Sequence, residues 1–184
     1  MYPGPIHRRS ITINTFEESD DVLVLDGTLI DDRLCKTFIY LLSKIVDSGT
    51  IHHINLRLEL LLPDLIINSA VINMMEVPHA MCRDIQNSGD KLRGISIFKG
   101  FNKKITELIG GKNGCLHLFN LLLSMRAAAF QGYFTYVSRV LEDGSIRFVD
   151  IDRSAFLNTC HMWSESGPFA ALLKSNKNTP QLRE

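Results

Sequence analysis

The sequence predicts an α+β fold in which antiparallel β-strands of the N-terminal half pack against C-terminal helices, one of them a buried central helix. Three observations carry this prediction: polar and apolar residues alternate in the first half, apolar residues recur at helical spacing over 101–109, and a long, almost wholly apolar segment follows. The chain has 184 residues and 45% hydrophobic content, enough for one substantial core. We therefore expect one domain over residues 1–172 and a polar, flexible tail over 173–184.

The first elements of the chain have β-like composition. Residues 6–15 and 21–30 alternate apolar, often branched residues with polar ones, which predicts two strands. Asp31 is then in place to cap a helix, since apolar residues recur at helical spacing in "DDRLCKTFIYLLSKIVDSG" and Gly49 supplies a C-terminal stop. Cys35 lies on this predicted helix, and we interpret it as structural.

The next segment, "IHHINLRLELLLPDLIINSAVINM", predicts a β-hairpin with one buried face. Apolar and polar residues alternate strictly over 54–60, and Pro63 with the following aspartate forms a plausible turn. His52 and His53 point to opposite faces of such a strand, so we do not expect both to bind one metal ion. Pro78 ends the hairpin.

Two helices are predicted in the second half. "GFNKKITELIGG" places its apolar residues on one face, and "CLHLFNLLLSMRAAAF" is apolar nearly all round, as in a buried central helix. If Asn113 and Gly114 form the turn that opens the second helix, Cys115 lies in its first turn, where unpaired N–H groups and the helix dipole stabilise a thiolate. The segment "YFTYV" either extends this helix or begins a hairpin centred on Asp143 and Gly144.

Composition argues against several classes of function. Twenty basic and twenty acidic side chains give no net charge to attract a polyanion, and no basic run is interleaved with aromatic residues, so we expect no nucleic-acid partner. No apolar run has the length of a signal sequence core or a membrane span, so we expect a cytoplasmic protein without membrane association. Walker A, zincin and serine-hydrolase motifs do not occur.

Cysteine and histidine residues cluster along the chain. Three of the four cysteines have a histidine within three residues. Thiolates and imidazoles together suit zinc or iron. The predicted ligands are Cys82, Cys115, His117 and Cys160, with His79 as a further candidate.

Three functions remain open from the sequence. The first is a metal-binding protein or metal-dependent enzyme that uses these ligands. The second is a thiol-dependent enzyme in which Cys115 is the nucleophile, His117 or a nearer histidine is the base, and the N–H groups at the helix start bind an anion. The third is a non-catalytic binding or assembly module whose Cys and His side chains serve packing. Whether the protein is an enzyme, which small molecule or protein it binds, and whether it forms a homo-oligomer are not decided by the sequence.

A family resemblance rests on "PHAMC", "LRGISIFKGFNKKITELIGGKNGCLHLFNLLLSMRAAAFQG" and "LNTCHMW" followed by "GP". These segments resemble the bacterial domain-of-unknown-function family 2889. Cys82 matches a Pro-x-x-x-Cys element and Asp31 an acidic position after the early strand, whereas His79 is outside the family pattern. The most specific matches are Gly110, Gly111, Gly114, Cys115, His117, Leu118 and Gln131. The family has no established activity, so the resemblance supports the site around Cys115 and implies no reaction.

Overall fold

The structure, a computed structural model, describes residues 4–145, 147 and 157–175. The chain forms two compact units, Met1–Arg147 and Phe148–Glu184. In the described part of the first unit the elements are β1 (His7–Ser19), β2 (Val22–Arg33), β3 (Thr37–Ile39), β4 (Lys44–Val46), β5 (Gly49–Leu61), β6 (Ile66–Glu76), α1 (Phe101–Ile109) and α2 (Leu116–Val137), with 3₁₀-helices at Tyr40–Leu42, Ala80–Leu92 and Gly111–Asn113.

The second unit is described over 157–175, where a 3₁₀-helix at His161–Trp163 precedes α3 (Pro168–Ser175). The indole of Trp163 packs on the ring of Phe169 with 5.1 Å between ring centroids. The predicted single domain over 1–172 stays a prediction. Of the predicted C-terminal tail, residues 173–175 belong to α3 and residues 176–184 lie outside the described residues.

Four long strands form one antiparallel sheet in the order β1-β2-β5-β6, and the helices of the second half follow it in the chain. This confirms the predicted α+β class. Strands β5 and β6 form the predicted hairpin. Its apolar and polar residues alternate between the two faces as expected: Leu56 and Leu58 are fully buried on one face, whereas Arg57 between them is exposed. Burial of one sheet face alone explains why polar and apolar residues alternate so strictly here.

The predicted helix beginning at Asp31 is wrong. Strand β2 continues to Arg33, and the residues after it form a small hairpin in which β3 and β4 pair antiparallel. A helix here would have needed a surface on which to bury its apolar stripe. Phe38 and Ile45 are instead exposed in the hairpin, and Ser43 turns the chain with a positive φ of 48°. Branched residues at strand positions therefore outweighed the helical spacing.

Helix α2 lies along β2 on the buried face of the sheet. His117 meets Asp31 near one end of the strand, the side chain of Met125 lies over Gly27, and at the other end Tyr136 hydrogen-bonds the chain just before β2. A Cβ at Gly27 would lie 2.7 Å from Met125 Sδ, so glycine allows the helix to approach the strand this closely. At about 1.5 Å per residue the 22 residues of α2 span about 33 Å, and at about 3.3 Å per residue the 12 residues of β2 span about 40 Å, so the helix runs along most of the strand.

Helix α2 ends at Val137, which confirms that "YFTYV" extends the helix. Its buried residues form a stripe from Leu118 to Val137, with Leu116 and Phe134 exposed. None of the helices in the described part of the chain has the length and apolar content needed to cross a bilayer.

The Tyr136 hydroxyl fastens the C-terminal end of α2 to the sheet by donating a 2.8 Å hydrogen bond to the carbonyl oxygen of Asp20. We expect Tyr136→Phe to lower the free energy of unfolding by about 1 kcal/mol, the usual net contribution of one such bond. Urea denaturation measures this loss. An unchanged free energy of unfolding would show that water replaces the hydroxyl at no cost.

Candidate metal centre

Two strands and one helix bring an aspartate and two histidines together at one end of the sheet. Asp31 of β2 and His52 of β5 are paired across adjacent strands, so both side chains point to the face that α2 covers. His117 is the second residue of α2, which begins at this end of the sheet. One ligand atom from each of Asp31, His52 and His117 lies within 4.8 Å of the other two, and in the described part of the chain this is the one such group of three His, Cys, Asp or Glu side chains.

Both imidazoles face the same carboxylate oxygen. His52 Nδ1 lies 3.2 Å from Asp31 Oδ2, and His117 Nε2 lies 3.4 Å from it. The two rings stack with centroids 3.6 Å apart and planes 28° apart. His52 Nδ1 is buried and lies close to Oδ2, but this contact does not meet the geometric criteria of a hydrogen bond, so Nδ1 has no hydrogen-bond partner within the described residues. A buried nitrogen in this state is costly unless something else binds it.

Asp31 is the centre of a wider polar group. Its side chain is 3% exposed and accepts two 2.7 Å hydrogen bonds from Arg9, one from Nε to Oδ1 and one from Nη2 to Oδ2. His7 Nε2 lies 3.3 Å from Oδ1. The hydrogen bonds from Arg9 lower the pKa of Asp31, which keeps the carboxylate ionised. Because each carboxylate oxygen has two lone pairs, the bidentate Arg9 leaves one on Oδ2 for another partner.

The two histidines favour the neutral form. Burial lowers the pKa of His52, outweighing the attraction of Asp31, and burial together with the neighbouring His52 lowers the pKa of His117. A neutral imidazole has a ring nitrogen lone pair, which is the form that binds a metal ion. The site therefore offers one anionic oxygen and two neutral nitrogens.

These shifts predict a pH dependence of stability for the metal-free protein. The pKa values of His52 and His117 lie below the ordinary 6.5 in the folded chain, so as the pH falls below 6.5 the unfolded chain takes up protons first and stability decreases. The contribution of Asp31, with its lowered pKa, is lost only below about its ordinary 3.8. We expect the melting temperature to fall between about pH 7 and about pH 5. The His52→Asn/His117→Asn double variant should show a smaller fall, and an equal fall would contradict the assignment.

Cys115 adjoins this group through the other nitrogen of His117. It is the N-cap of α2, makes no side-chain capping bond, and its Sγ lies 3.7 Å from His117 Nδ1. The structure thus brings Cys115 and His117 together, as their proximity in the sequence suggested. With Nε2 directed at Asp31, Nδ1 is directed at the thiol, so Cys115 is placed to orient the imidazole.

The other predicted ligands are Cys82, His79 and Cys160. Cys82 is half-buried in the 3₁₀-helix Ala80–Leu92, and its N–H bonds the carbonyl oxygen of His79, which caps that helix through Nδ1. Cys160 is exposed in the second unit, and Cys35 is exposed beside the β3–β4 hairpin. A role for Cys82, Cys115, Cys160 or His79 as metal ligands stays a prediction.

Sequence reasoning missed Asp31 and His52 as members of the site. Asp31 was interpreted as a helix cap, and His52 was set aside together with His53. A usable signal was present: Asp31 and His52 each continue the buried-face alternation of a predicted strand, so each is a polar residue at an inward position. Polar residues at such positions need partners inside the protein.

The fold and the site define an α+β protein with a two-histidine, one-carboxylate cluster between a four-stranded antiparallel sheet and the start of a long helix. A family model described as a protein of unknown function, DUF2889, matches residues 7–131, and the chain belongs to this family. The matched region contains Asp31, His52, Cys115 and His117. No curated protein and no solved structure matches the chain.

Proposed function

We propose that Asp31, His52 and His117 bind a divalent transition metal ion, zinc or iron, and that positions on this ion remain open to water or substrate. The distances carry the proposal. With metal–ligand bonds of about 2.0–2.1 Å, two ligand atoms of a tetrahedral zinc site are about 3.3 Å apart. The two nitrogen-to-oxygen distances at Asp31 Oδ2 are 3.2 and 3.4 Å.

His52 Nδ1 supports the same conclusion, because it is buried beside Asp31 without a hydrogen bond within the described residues, and a bound ion would satisfy it. Three protein ligands from three elements leave at least one coordination position open, as in catalytic zinc sites and in iron sites with two histidines and one carboxylate. Cys115 contacts Nδ1 of His117, the ring nitrogen that does not face Asp31, and so orients this imidazole as a metal ligand.

Metal content decides this proposal most simply. Protein purified without a histidine tag is analysed for zinc and iron by mass spectrometry, then stripped and titrated with each ion by calorimetry. We expect close to one equivalent of a single metal, with Asp31→Asn losing it. Wild-type protein that neither retains metal nor binds zinc or iron tighter than exposed surface histidines would contradict the proposal.

A thiol-dependent enzyme remains the second candidate, because one observation favours it. Cys115 Sγ, the two nitrogens of His117 and Asp31 Oδ2 form a continuous series, with distances of 3.7 and 3.4 Å on either side of the ring. This order of thiol, imidazole and carboxylate is that of a nucleophile, its base and the group that orients the base.

Alkylation of the metal-free protein by iodoacetamide, followed by peptide mass spectrometry, tests this candidate. Cys115 is half-buried and Cys35 exposed, so exposure alone favours Cys35. An activated Cys115 reacts faster than Cys35, and His117→Asn removes the difference. Slower alkylation of Cys115 would leave the metal site as the better account. The third hypothesis, a non-catalytic binding or assembly module, stays a prediction. The cytoplasmic location expected from the sequence also stays a prediction.

A further inference from the structure

The charge of the site changes when a divalent ion is bound. Asp31 and Arg9 neutralise each other, and both histidines are neutral ligands, so a dication leaves two uncompensated positive charges in a largely buried position. Among the described residues, Asp31 is the one carboxylate paired with Arg9, His7, His52 or His117. Asp32 follows it directly, but strand alternation directs its side chain to the opposite face, where it accepts a hydrogen bond from Thr50.

Arg9 has donors left to bind a second anion. Its hydrogen bonds to Asp31 use Nε and Nη2, the side edge of the guanidinium. The end edge consists of Nη1 and the second hydrogen of Nη2, and Nη1 has no hydrogen bond within the described part of the chain. The Arg9 side chain is 34% exposed, so part of it is accessible to a ligand. The N–H groups on this edge can donate charge-assisted hydrogen bonds to an oxygen of a carboxylate or phosphate.

His7 and the start of helix α2 also lie near Asp31. His7 is two residues from Arg9 on the same face of β1, is half-exposed and lies 3.3 Å from Asp31 Oδ1. Helix α2 starts at His117's end of the site, and its Cys115 cap leaves the first N–H groups without a side-chain acceptor. The free N–H groups at the start of α2 favour negative charge near His117.

From this arrangement we propose that the metal site binds a small oxyanion, a carboxylate or a phosphate group, with one oxygen on an open metal position and another accepting hydrogen bonds from the end edge of Arg9. The inference rests on the proposed metal site and names the ligand class of that site. A neutral molecule of the same size lacks the charge that compensates the ion and gains little from Arg9.

Cobalt(II) reports on this proposal, because its visible absorption changes when a coordination position is filled. Cobalt-loaded wild-type protein is titrated with sodium acetate, with inorganic phosphate and with neutral acetamide, at constant ionic strength. We expect saturable spectral changes with acetate or phosphate and none with acetamide. The oxyanion that binds more tightly identifies the source of the negative group.

Substitutions at Arg9 and Arg8 distinguish a specific contact of the oxyanion with Arg9 from a general effect of positive charge. Arg9→Gln is expected to weaken oxyanion binding by about tenfold or more, since it removes a charged hydrogen-bond donor. Arg8→Gln removes an equal charge from the opposite face of β1 and should leave binding unchanged. Arg9→Lys keeps the charge without the paired N–H groups and should weaken binding by less than Arg9→Gln, which remains informative if Arg9→Gln unfolds.

The two proposals fail in different ways. Wild-type protein that binds no cobalt contradicts the metal site and the oxyanion with it. Cobalt binding without a saturable response to acetate or phosphate, or with equal responses in the wild type, Arg9→Gln and Arg9→Lys, overturns the oxyanion proposal and leaves the metal site in place.

Discussion

Replacing His52 by Asn is expected to weaken zinc binding by more than about 100-fold, because loss of a direct ligand should exceed the 10–100-fold cost of losing a residue that only orients one. His52 Nδ1 lies 3.2 Å from Asp31 Oδ2 and is buried without a hydrogen bond in the described chain. Asn keeps a polar group of similar reach but lacks the imidazole nitrogen. Competition against a chromophoric chelator measures the dissociation constants.

His53→Asn is the matched control for this experiment. His53 is the next residue of the same strand, and alternation directs its side chain to the other face of the sheet. The control should bind zinc as the wild type does. Equal zinc affinities for His52→Asn and His53→Asn, with both variants folded, would remove His52 from the site.

Gly114→Ala is expected to lower the free energy of unfolding by about 3 kcal/mol, the upper part of the usual range for overpacking. A Cβ at Gly114 would collide with the backbone carbonyl of Ile109 at the end of α1, and backbone cannot swing away as a side chain can. Because Gly114 directly precedes Cys115 and α2, relief of the collision moves the end of α1 or the start of α2. Zinc affinity should therefore fall together with stability.

Chemical denaturation and zinc titration of the same samples measure both effects. Gly4→Ala serves as the control, since a Cβ at Gly4 has no atom within 4 Å, and its stability should stay within about 0.5 kcal/mol of the wild type. Wild-type stability and zinc affinity in Gly114→Ala would show that the close approach of α1 and α2 is not needed to place His117.

Much of the fold was predictable from short-range patterns. The β5–β6 hairpin followed from strict alternation, and α1 and α2 followed from the spacing and density of their apolar residues. These patterns work because a sheet with one buried face and a helix on that face impose periods of two and about 3.6 residues. The segment after Asp31 failed because its apolar residues fit both periods. Strand β2 continues to Arg33 in the four-stranded sheet, and β3 and β4 pair with each other in a separate hairpin, so β structure replaced the predicted helix.

The site was predictable only in part. Cys115 and His117 were found because they are close in sequence at a glycine-rich helix start. Asp31 and His52 lie 21 residues apart and meet through the antiparallel register of β2 and β5. That register includes a bulge beside Asp31, so no count along the sequence gives the pairing. The helix start supplies the third ligand only after α2 packs along β2.

Anomalous X-ray diffraction from crystals of the zinc-loaded protein, recorded on both sides of the zinc absorption edge, tests the metal site most directly. We predict one strong anomalous peak about 2.0–2.2 Å from Asp31 Oδ2, His52 Nδ1 and His117 Nε2. A peak at Cys82 or Cys160 with none beside Asp31, or zinc-loaded crystals without a peak between these three side chains, would contradict it.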